Sequence, residues 1–394
     1  MAGRKGAPPG AAATKSAKAN RNGDNKKEQQ KQHGLGRNLD DREQKQRISE
    51  HDRKHQQRVL DIFRHASNDV LSSPDFTTRL QSVKQALFER DFARAFGDPE
   101  NLAVYAARWS PTRALCYASV LHGIQEHLEP LSSSSLPTVI PETNNTGSTT
   151  PPRKKISVIS IGGAAAELVA LGAFLNQWPS SSSIAGSITL VDSGPWSTVV
   201  SHLTTALTTA PPISKYASAA AKLSNTAMVP PSHFTQTFVQ HDALALGPER
   251  LASLVGDGNT ATATPTPVLI TILFTLNELF TAGGIGKTTA FLLDLTSCIP
   301  LGSLLLVVDS PGSYSETSVG KEAKRYPMQW LLDRVMLGTR REPVNGRRWA
   351  KLEARDSAWF RLADTLDYPI QLENMRYQMH LYKAEDASIE VDDE

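Results

Sequence analysis

The chain has 394 residues, enough for one large domain or two ordinary ones, and a formal net charge of only +2. Its two cysteines, Cys116 and Cys298, exclude a disulfide framework and a cysteine-based zinc site and indicate a reducing compartment, and we expect no metal. No apolar run reaches the roughly 18 residues that span a bilayer, and the N-terminus lacks an apolar signal core, so we expect neither membrane insertion nor secretion.

The two ends of the chain differ in charge from the rest. Residues 1–58 hold fifteen Lys/Arg against seven Asp/Glu and almost no large apolar side chains, which predicts a disordered basic tail. Residues 384–394 are predicted to form an acidic tail. A basic arm of this kind fits a polyanion partner, a nuclear import signal or an ordinary solvated tail.

A helical segment and a linker follow the basic tail. Residues 59–130 carry apolar side chains at helical spacing, for example Phe76, Leu80, Val83 and Leu87. Residues 131–153 are rich in Ser, Thr and Pro and predict a linker.

Apolar strands then alternate with helical patterns over residues 154–383. The predicted strands are 156–161, 187–192, 233–242, 268–274 and 302–309. Helical patterns occupy about 325–366, and two short strands, 368–373 and 376–384, close the domain. This alternation predicts an α/β fold with a doubly wound, mostly parallel sheet that ends in an antiparallel hairpin.

The stretch 283–289, GGIGKTT, is similar to the phosphate-binding loop of ParA-like ATPases. Such a loop needs its strand to end directly at the first glycine, whereas the predicted strand ends near Phe274. The first glycine of the pattern would also fall on Thr281. A P-loop ATPase that uses Lys287 is therefore a lesser alternative. We assign the glycines to a turn before a helix, where Lys287 could contact a nucleic-acid phosphate.

A second glycine pair is better placed to hold a ligand. Gly162 and Gly163 directly follow a predicted strand and precede a helix whose first turn holds Glu167. Glycines allow close backbone approach, and a helix N-terminus offers unpaired N–H groups. Asp192 ends the next strand, where a carboxylate accepts hydrogen bonds from ribose hydroxyls. Asp242 ends the third strand and is placed to contact an adenine amino group.

This order of elements resembles that of class I S-adenosylmethionine-dependent methyltransferases: a glycine loop, acidic strand ends, then the polar loop FTLNELF after strand four. Three segments further resemble a fungal family that methylates N3 of a uridine in large-subunit ribosomal RNA. They are YAARWSPTRALCYASVL (105–121), FTLNELF to KTTAFL (274–292) and SPGSYSE to YPMQWLLDRV (310–335). The resemblance covers about residues 50 to 383. The glycine-rich AGGIG (282–286) departs from it and leaves the role of Lys287 open.

The resemblance implies a cofactor, a substrate and candidate site residues. S-adenosyl-L-methionine would be held by Gly162, Gly163, Glu167, Asp192, Asp242 and Thr275. Because uracil N3 carries a proton at neutral pH, a base should assist, with Glu278 as that base and Asn277 orienting the ring. The expected RNA contacts are Arg108, Trp109, Arg113, Lys287, Trp330, Arg340 and Arg341. The expected partner is large-subunit ribosomal RNA or a pre-ribosomal particle. The expected location is the nucleus or nucleolus, and the cytoplasm stays open as a further location.

Three other functions stay open beside this one and the ATPase. The chain could methylate a protein or a small molecule, or the doubly wound domain could hold another ligand, since fold alone does not fix function. It could also be a catalytically inactive RNA-binding scaffold, because Gly-Gly-Ala-Ala is a degenerate cofactor loop.

Overall fold

A computed structural model describes residues 49–134, 154–179, 184–256, 265–312, 314–319, 322–338 and 343–388. The first seven helices are α1 (Glu50–Ala66), α2 (Asn68–Leu71), α3 (Phe76–Phe88), α4 (Phe92–Phe96), α5 (Pro99–Arg108), α6 (Ser110–Gly123) and α7 (Gln125–Leu128). The others are α8 (Ala165–Gln177), α9 (Ser197–Thr208), α10 (Ala219–Ser224), α11 (Pro248–Val255), α12 (Leu276–Glu278), α13 (Gly284–Cys298) and α14 (Met328–Met336). Short 3₁₀ turns are Glu129–Leu131, Pro231–His233 and Ala243–Ala245, and a π turn, Leu279–Gly283, joins α12 to α13.

The strands are β1 (Ser133–Ser134), β2 (Lys154–Ile161), β3 (Ile184–Asp192), β4 (Phe234–Gln240), β5 (Leu269–Leu273), β6 (Leu304–Asp309), β7 (Tyr314–Val319), β8 (Glu322–Pro327), β9 (Arg347–Phe360) and β10 (Met375–Asp386). The main sheet has the order β4-β3-β2-β5-β6-β10-β9, with β1 paired to β2 outside this path. Strands β2 to β6 pair in parallel, whereas β10 is antiparallel to both β6 and β9. The predicted α/β class, with its mostly parallel sheet and terminal antiparallel pair, is confirmed.

Helices cover both faces of this sheet. Every residue of β5 and β6 is buried, which is why these strands are continuous apolar runs rather than alternating ones. On one face Phe63 of α1, Tyr117 of α6 and Phe174 of α8 belong to a single core. On the other face Phe291 of α13 and Leu332 of α14 pack against the sheet. The N-terminal helices therefore share the core of the sheet.

The last antiparallel strand is not where the sequence predicted it. The partner of β10 is β9, Arg347–Phe360, and not residues 368–373; within the predicted helical stretch 325–366, α14 alone is helical among the described residues. The sequence of β9, RRWAKLEARDSAWF, contains many helix-forming residues. Pairing along its whole length with the buried strand β10 outweighs that weak local preference.

Two predicted tail boundaries also need correction. Residues 50–58 form the first half of α1, because buried His55 extends the apolar face of Val59 and Phe63 by one turn. Residues 384–386 are the end of β10, where Glu385 lies opposite Arg348 and the opposite charges favour pairing. Residues 1–48, 135–153 and 389–394 lie outside the described part, so the tail and linker predictions stay predictions.

Among the described helices, none is long and apolar enough to cross a membrane.

Candidate active site

A cavity of about 680 Å³ opens at the carboxyl ends of the parallel strands. The loops after β2, β3, β4 and β5 contribute to its walls, together with side chains from α4, α5 and α6. The predicted site residues that line it are Gly162, Glu167, Asp192, Asp242, Thr275, Glu278, Arg113 and Lys287. Crevices at this edge of an open α/β sheet are the usual ligand sites of such folds.

The glycine loop after β2 has no room for side chains. Gly162 has φ +67°, and a Cβ there would lie 2.2 Å from Thr275 Cγ2. A Cβ on Gly163 would lie 2.3 Å from Ser160 Oγ. The Thr275 hydroxyl donates a hydrogen bond to the Gly162 carbonyl at 3.0 Å and so ties the β5 end to this loop. Glycine is therefore required by both conformation and packing.

We expect Gly162→Ala to lose measurable cofactor binding and to lower the unfolding temperature. A non-glycine residue at this φ costs about 1–3 kcal/mol, and the overlap with Thr275 adds to it. Calorimetric titration with S-adenosylmethionine and thermal unfolding measure the two effects. Gly286→Ala is the matched control: a Cβ there meets nothing within 4 Å, so binding and stability should be retained. Unchanged cofactor affinity in Gly162→Ala would contradict this account of the loop.

Two carboxylates at the cavity are oriented by hydrogen bonds from the backbone N–H two residues later in the chain. Asp192 Oδ1 accepts a hydrogen bond from the Gly194 N–H at 2.8 Å, and Asp242 Oδ1 accepts one from the Leu244 N–H at 2.9 Å. Burial raises the pKa of Asp192, whereas Asp242 is exposed at the rim. Both side chains therefore stand in fixed orientations at the ends of β3 and β4.

Glu167 is held at the start of α8. Its Oε2 accepts a hydrogen bond from the Ala164 N–H at 2.9 Å, which caps the first turn. Burial raises the pKa of this carboxyl to about 7. Its side chain also closes the space beside Gly163, where a Cβ would lie 2.8 Å from Glu167 Cγ. These contacts make Glu167 a support of the glycine loop as well as part of the cavity wall.

Glu278 and Arg113 both line the cavity and influence each other electrostatically. The pKa of Glu278 is raised to about 7, chiefly by burial; Arg113 lowers it, and Asp309 and Asp192 add to the increase. The Arg113 guanidinium lies 5.1 Å from the ring centroid of Phe274 and 5.4 Å from that of Tyr105, and it donates a hydrogen bond to the Tyr105 hydroxyl. A carboxyl that titrates near neutral pH beside a fixed cation is suited to proton transfer.

Several predicted residues lie elsewhere. Asn277 does not line the cavity; its backbone N–H donates to Asp309 Oδ2 at 3.1 Å and anchors α12 to the end of β6. Arg108 and Trp109 line a second, neighbouring cavity together with Arg113. Trp330 is 48% exposed on α14 and stacks on Tyr326. Arg340 and Arg341 lie outside the described residues.

Sequence reasoning missed the aromatic wall of the cavity. Tyr105 of α5 contacts Phe96 and Trp196 with ring centroids 5.0 and 6.0 Å away. Phe274 has the unusual φ of +56° for a non-glycine residue directly after β5. Tyr105 lies in the quoted motif YAARW, of which only Arg108 and Trp109 were predicted as site residues, and no sequence feature predicts the φ of Phe274.

The segment GGIGKTT is not a phosphate-binding loop. After β5 ends at Leu273, helix α12 and the π turn come before Gly284, which has φ +81°. A Cβ on Gly283 would lie 2.0 Å from Leu244 Cδ1, so this glycine serves packing. Lys287 is exposed at the rim of the cavity in the first turn of α13. The required strand–glycine–helix order is thus missing here.

Among the described residues, one group away from the cavity contains side chains of the types that bind metals: Glu126, His127 and Glu353. His127 Nε2 lies 3.0 Å from Glu353 Oε1, and Glu126 is exposed. The contact is an ordinary imidazole–carboxylate pair, since exposed acidic groups commonly occur without a metal.

The family model described as "Putative SAM-dependent methyltransferase" matches residues 63–383 of this chain. The chain belongs to this family of S-adenosylmethionine-dependent methyltransferases. It is 31% identical over 352 residues to the Saccharomyces cerevisiae enzyme 25S rRNA (uridine(2843)-N(3))-methyltransferase, covering 83% of this chain and 85% of that protein.

Solved structures show a more distant similarity. A methyltransferase from Clostridium acetobutylicum has a TM-score of 0.30 at 7% identity, covering 68% of this chain and 90% of that one. The CurJ carbon methyltransferase has a TM-score of 0.38 at 11% identity, covering 81% and 70%.

The residues of the cavity fit the family's cofactor. Gly162 lines the cavity just before α8, and Asp192 and Asp242 present oriented carboxylates at the next two strand ends. We propose that the glycine loop holds the methionine part of S-adenosylmethionine, Asp192 the ribose hydroxyls and Asp242 the adenine. When bound, the cofactor supplies an electrophilic methyl group.

Proposed function

We propose that this protein methylates N3 of a uridine in large-subunit ribosomal RNA. The observation that carries the proposal is the 31% identity, over 83% of the chain, to a yeast enzyme named for that reaction. The position of Glu278 in the wall of the cofactor cavity supports it. On this basis the partner is ribosomal RNA or a pre-ribosomal particle, and we place the protein in ribosome biogenesis, in the nucleus or nucleolus.

Glu278 supplies the base that N3 methylation requires. Uracil N3 carries a proton at neutral pH, and that proton must leave as the N3–methyl bond forms. A carboxylate whose pKa is raised to about 7 by burial accepts the proton more readily than an ordinary one. Arg113 then stands beside the developing negative charge of the uracil ring and also favours the ionised Glu278.

An exposed aromatic patch on the outer strands supports an RNA partner. Trp359 of β9 is 55% exposed, and the guanidinium groups of Arg361 and Arg376 lie 5.5 and 5.8 Å from its ring centroid. Arg376 also lines the second cavity beside the cofactor site. An aromatic face flanked by arginines is a typical platform for unpaired bases and their phosphates.

We expect Trp359→Ala to weaken binding of ribosomal RNA. Loss of one stacked base costs about 1–3 kcal/mol, which is roughly a 5- to 150-fold higher Kd. Filter binding at a fixed salt concentration measures this effect. Phe88→Ala is the control, because Phe88 is 84% exposed on α3 and lines neither cavity. Equal RNA affinities of the two variants would show that Trp359 does not contribute to RNA binding.

The class of substrate can be tested with radiolabelled S-adenosylmethionine and isolated large-subunit particles. The proposal predicts that nuclease, and not protease, releases the label from the particle. Label in protein or in a small-molecule fraction would favour the alternative methyltransferase function. Filter binding of the protein without the basic residues 1–48 measures what this segment adds to RNA affinity, and this contribution should fall as salt rises.

A further inference from the structure

A cavity of about 200 Å³ lies beside the cofactor cavity and shares Arg113 and Phe274 with it. We propose that this base pocket, lined also by Arg108, Trp109, Thr112 and residues 373–376, receives the uracil ring of the target nucleotide. This inference rests on the proposed function. The volume is below the roughly 300 Å³ at which pockets for drug-sized ligands begin, and it suits a single ring.

The topology places the base pocket at the reacting edge of the sheet. Strand β10 runs antiparallel to β6, with Gln378 opposite Asp309, so its first residue, Met375, lies beyond the carboxyl end of β6. Met375 and Phe274 both line the pocket, and Phe274 also lines the cofactor cavity. A base held there adjoins the cofactor cavity at Arg113 and Phe274, the two side chains that line both sites.

The hydrogen-bonding groups of the pocket match uracil. Uracil carries carbonyl oxygens at positions 2 and 4, on either side of N3, and these oxygens only accept hydrogen bonds. The lining contains three arginines, Arg108, Arg113 and Arg376, which only donate. Cytosine carries an amino group at position 4. This donor would face the arginine donors without an acceptor, so cytosine should bind more weakly than uracil.

Two acceptor oxygens in the lining are already engaged. Glu373 Oε1 accepts from Arg108 Nη2 at 2.5 Å, and Asn374 Oδ1 accepts from the Leu362 N–H at 2.9 Å. With three arginines in its lining, the pocket is rich in donors, which favours a ring with two carbonyl groups.

Thr112 supplies an independent sign of a ligand. It is only 5% exposed, and its hydroxyl oxygen has no hydrogen-bond partner among the described groups. Buried polar groups nearly always find a partner, so an unpaired hydroxyl in a cavity wall indicates a polar occupant. The neighbouring indole of Trp109, 4.9 Å from the ring of Tyr105, offers an aromatic face within the same wall.

Photo-crosslinking tests the base pocket without turnover. The probe is large-subunit ribosomal RNA transcribed with 4-thiouridine at a fraction of its uridines, bound to the full-length protein with S-adenosylhomocysteine. We expect crosslinked peptides that contain Trp109 or Met375. Thr112→Val should reduce this crosslink about five- to tenfold, as expected for one lost hydrogen bond, and leave the unfolding temperature unchanged or higher.

Thr204→Val is the matched control. Thr204 is a half-buried helical threonine of α9 whose hydroxyl donates to the Val200 carbonyl at 2.7 Å, and it lines neither cavity. Crosslinks confined to other peptides, or equal yields from the two variants, would overturn the base pocket even if RNA methylation proceeds. Crosslinking at the pocket in RNA that takes up no methyl group would instead refute the proposed function and retain the pocket.

Discussion

Glu278→Gln should lower kcat for RNA methylation by about 10²- to 10⁴-fold, the usual contribution of a general base, and leave the Kd for S-adenosylmethionine within a few-fold of the native value. Glutamine keeps the shape of the side chain but cannot accept the N3 proton. Single-turnover kinetics with saturating cofactor measure the effect directly. Glu249→Gln, an exposed carboxylate on α11 outside the cavity, is the control and should retain full activity.

The pH profile separates a base from a structural carboxyl. Because burial raises the pKa of Glu278 to about 7, the ionised form that accepts a proton becomes dominant only above that pH. The value of kcat/KM, which reports the free enzyme, should therefore rise with pH and level off above about 7. Glu278→Gln should lose this inflection. A variant with native kcat, or with an unchanged inflection, would show that Glu278 is not the base.

Asp192→Ala should raise the Kd for S-adenosylmethionine by roughly 10- to 150-fold. Hydrogen bonds to a charged group contribute about 1.5–3 kcal/mol each, and the substitution removes the oriented acceptor at the end of β3. Calorimetric titration measures the change. Asp192→Asn keeps an oxygen that accepts from the Gly194 N–H but removes the charge. Its Kd for S-adenosylmethionine should therefore lie between those of the native protein and of Asp192→Ala.

Native cofactor affinity in Asp192→Ala would show that the ribose binds elsewhere in the cavity.

Titration with ATP and magnesium tests the ATPase alternative, because the structure gives no phosphate-binding loop at Gly283–Lys287. We expect no ATP binding that depends on Lys287. Tight ATP binding lost in Lys287→Ala would restore the ATPase alternative.

The parts of the fold that depend on local pattern could be predicted from the sequence. The apolar runs of β5 and β6 and the glycines after β2 identify buried strands and a ligand loop without further information. The strand β9 could not be found in this way, because its sequence favours a helix and only pairing with β10 makes it a strand. Such long-range pairing has no local signature.

The candidate site likewise has residues that a local pattern predicts and residues that only long-range contacts bring together. Asp192 and Asp242 were predicted because strand ends of a parallel sheet meet at one edge, and both line the cavity. Asn277 and Glu278 are neighbours in sequence, yet only Glu278 faces the cavity, since the turn of α12 directs the Asn277 backbone toward Asp309. The base pocket is assembled from segments more than 200 residues apart, 108–113 and 373–376, and no local pattern connects them.

Nucleoside analysis of ribosomal RNA tests the central claim most directly. Unmodified large-subunit RNA is incubated with the protein and S-adenosylmethionine, digested to nucleosides and separated against standards of the isomeric methyluridines. We expect 3-methyluridine to accumulate with the native protein, and to form far more slowly with Glu278→Gln and, at sub-saturating cofactor, with Asp192→Ala. A methyl group on uridine C5, on a ribose oxygen or on another base, or no methylated nucleoside at all, would contradict the central claim.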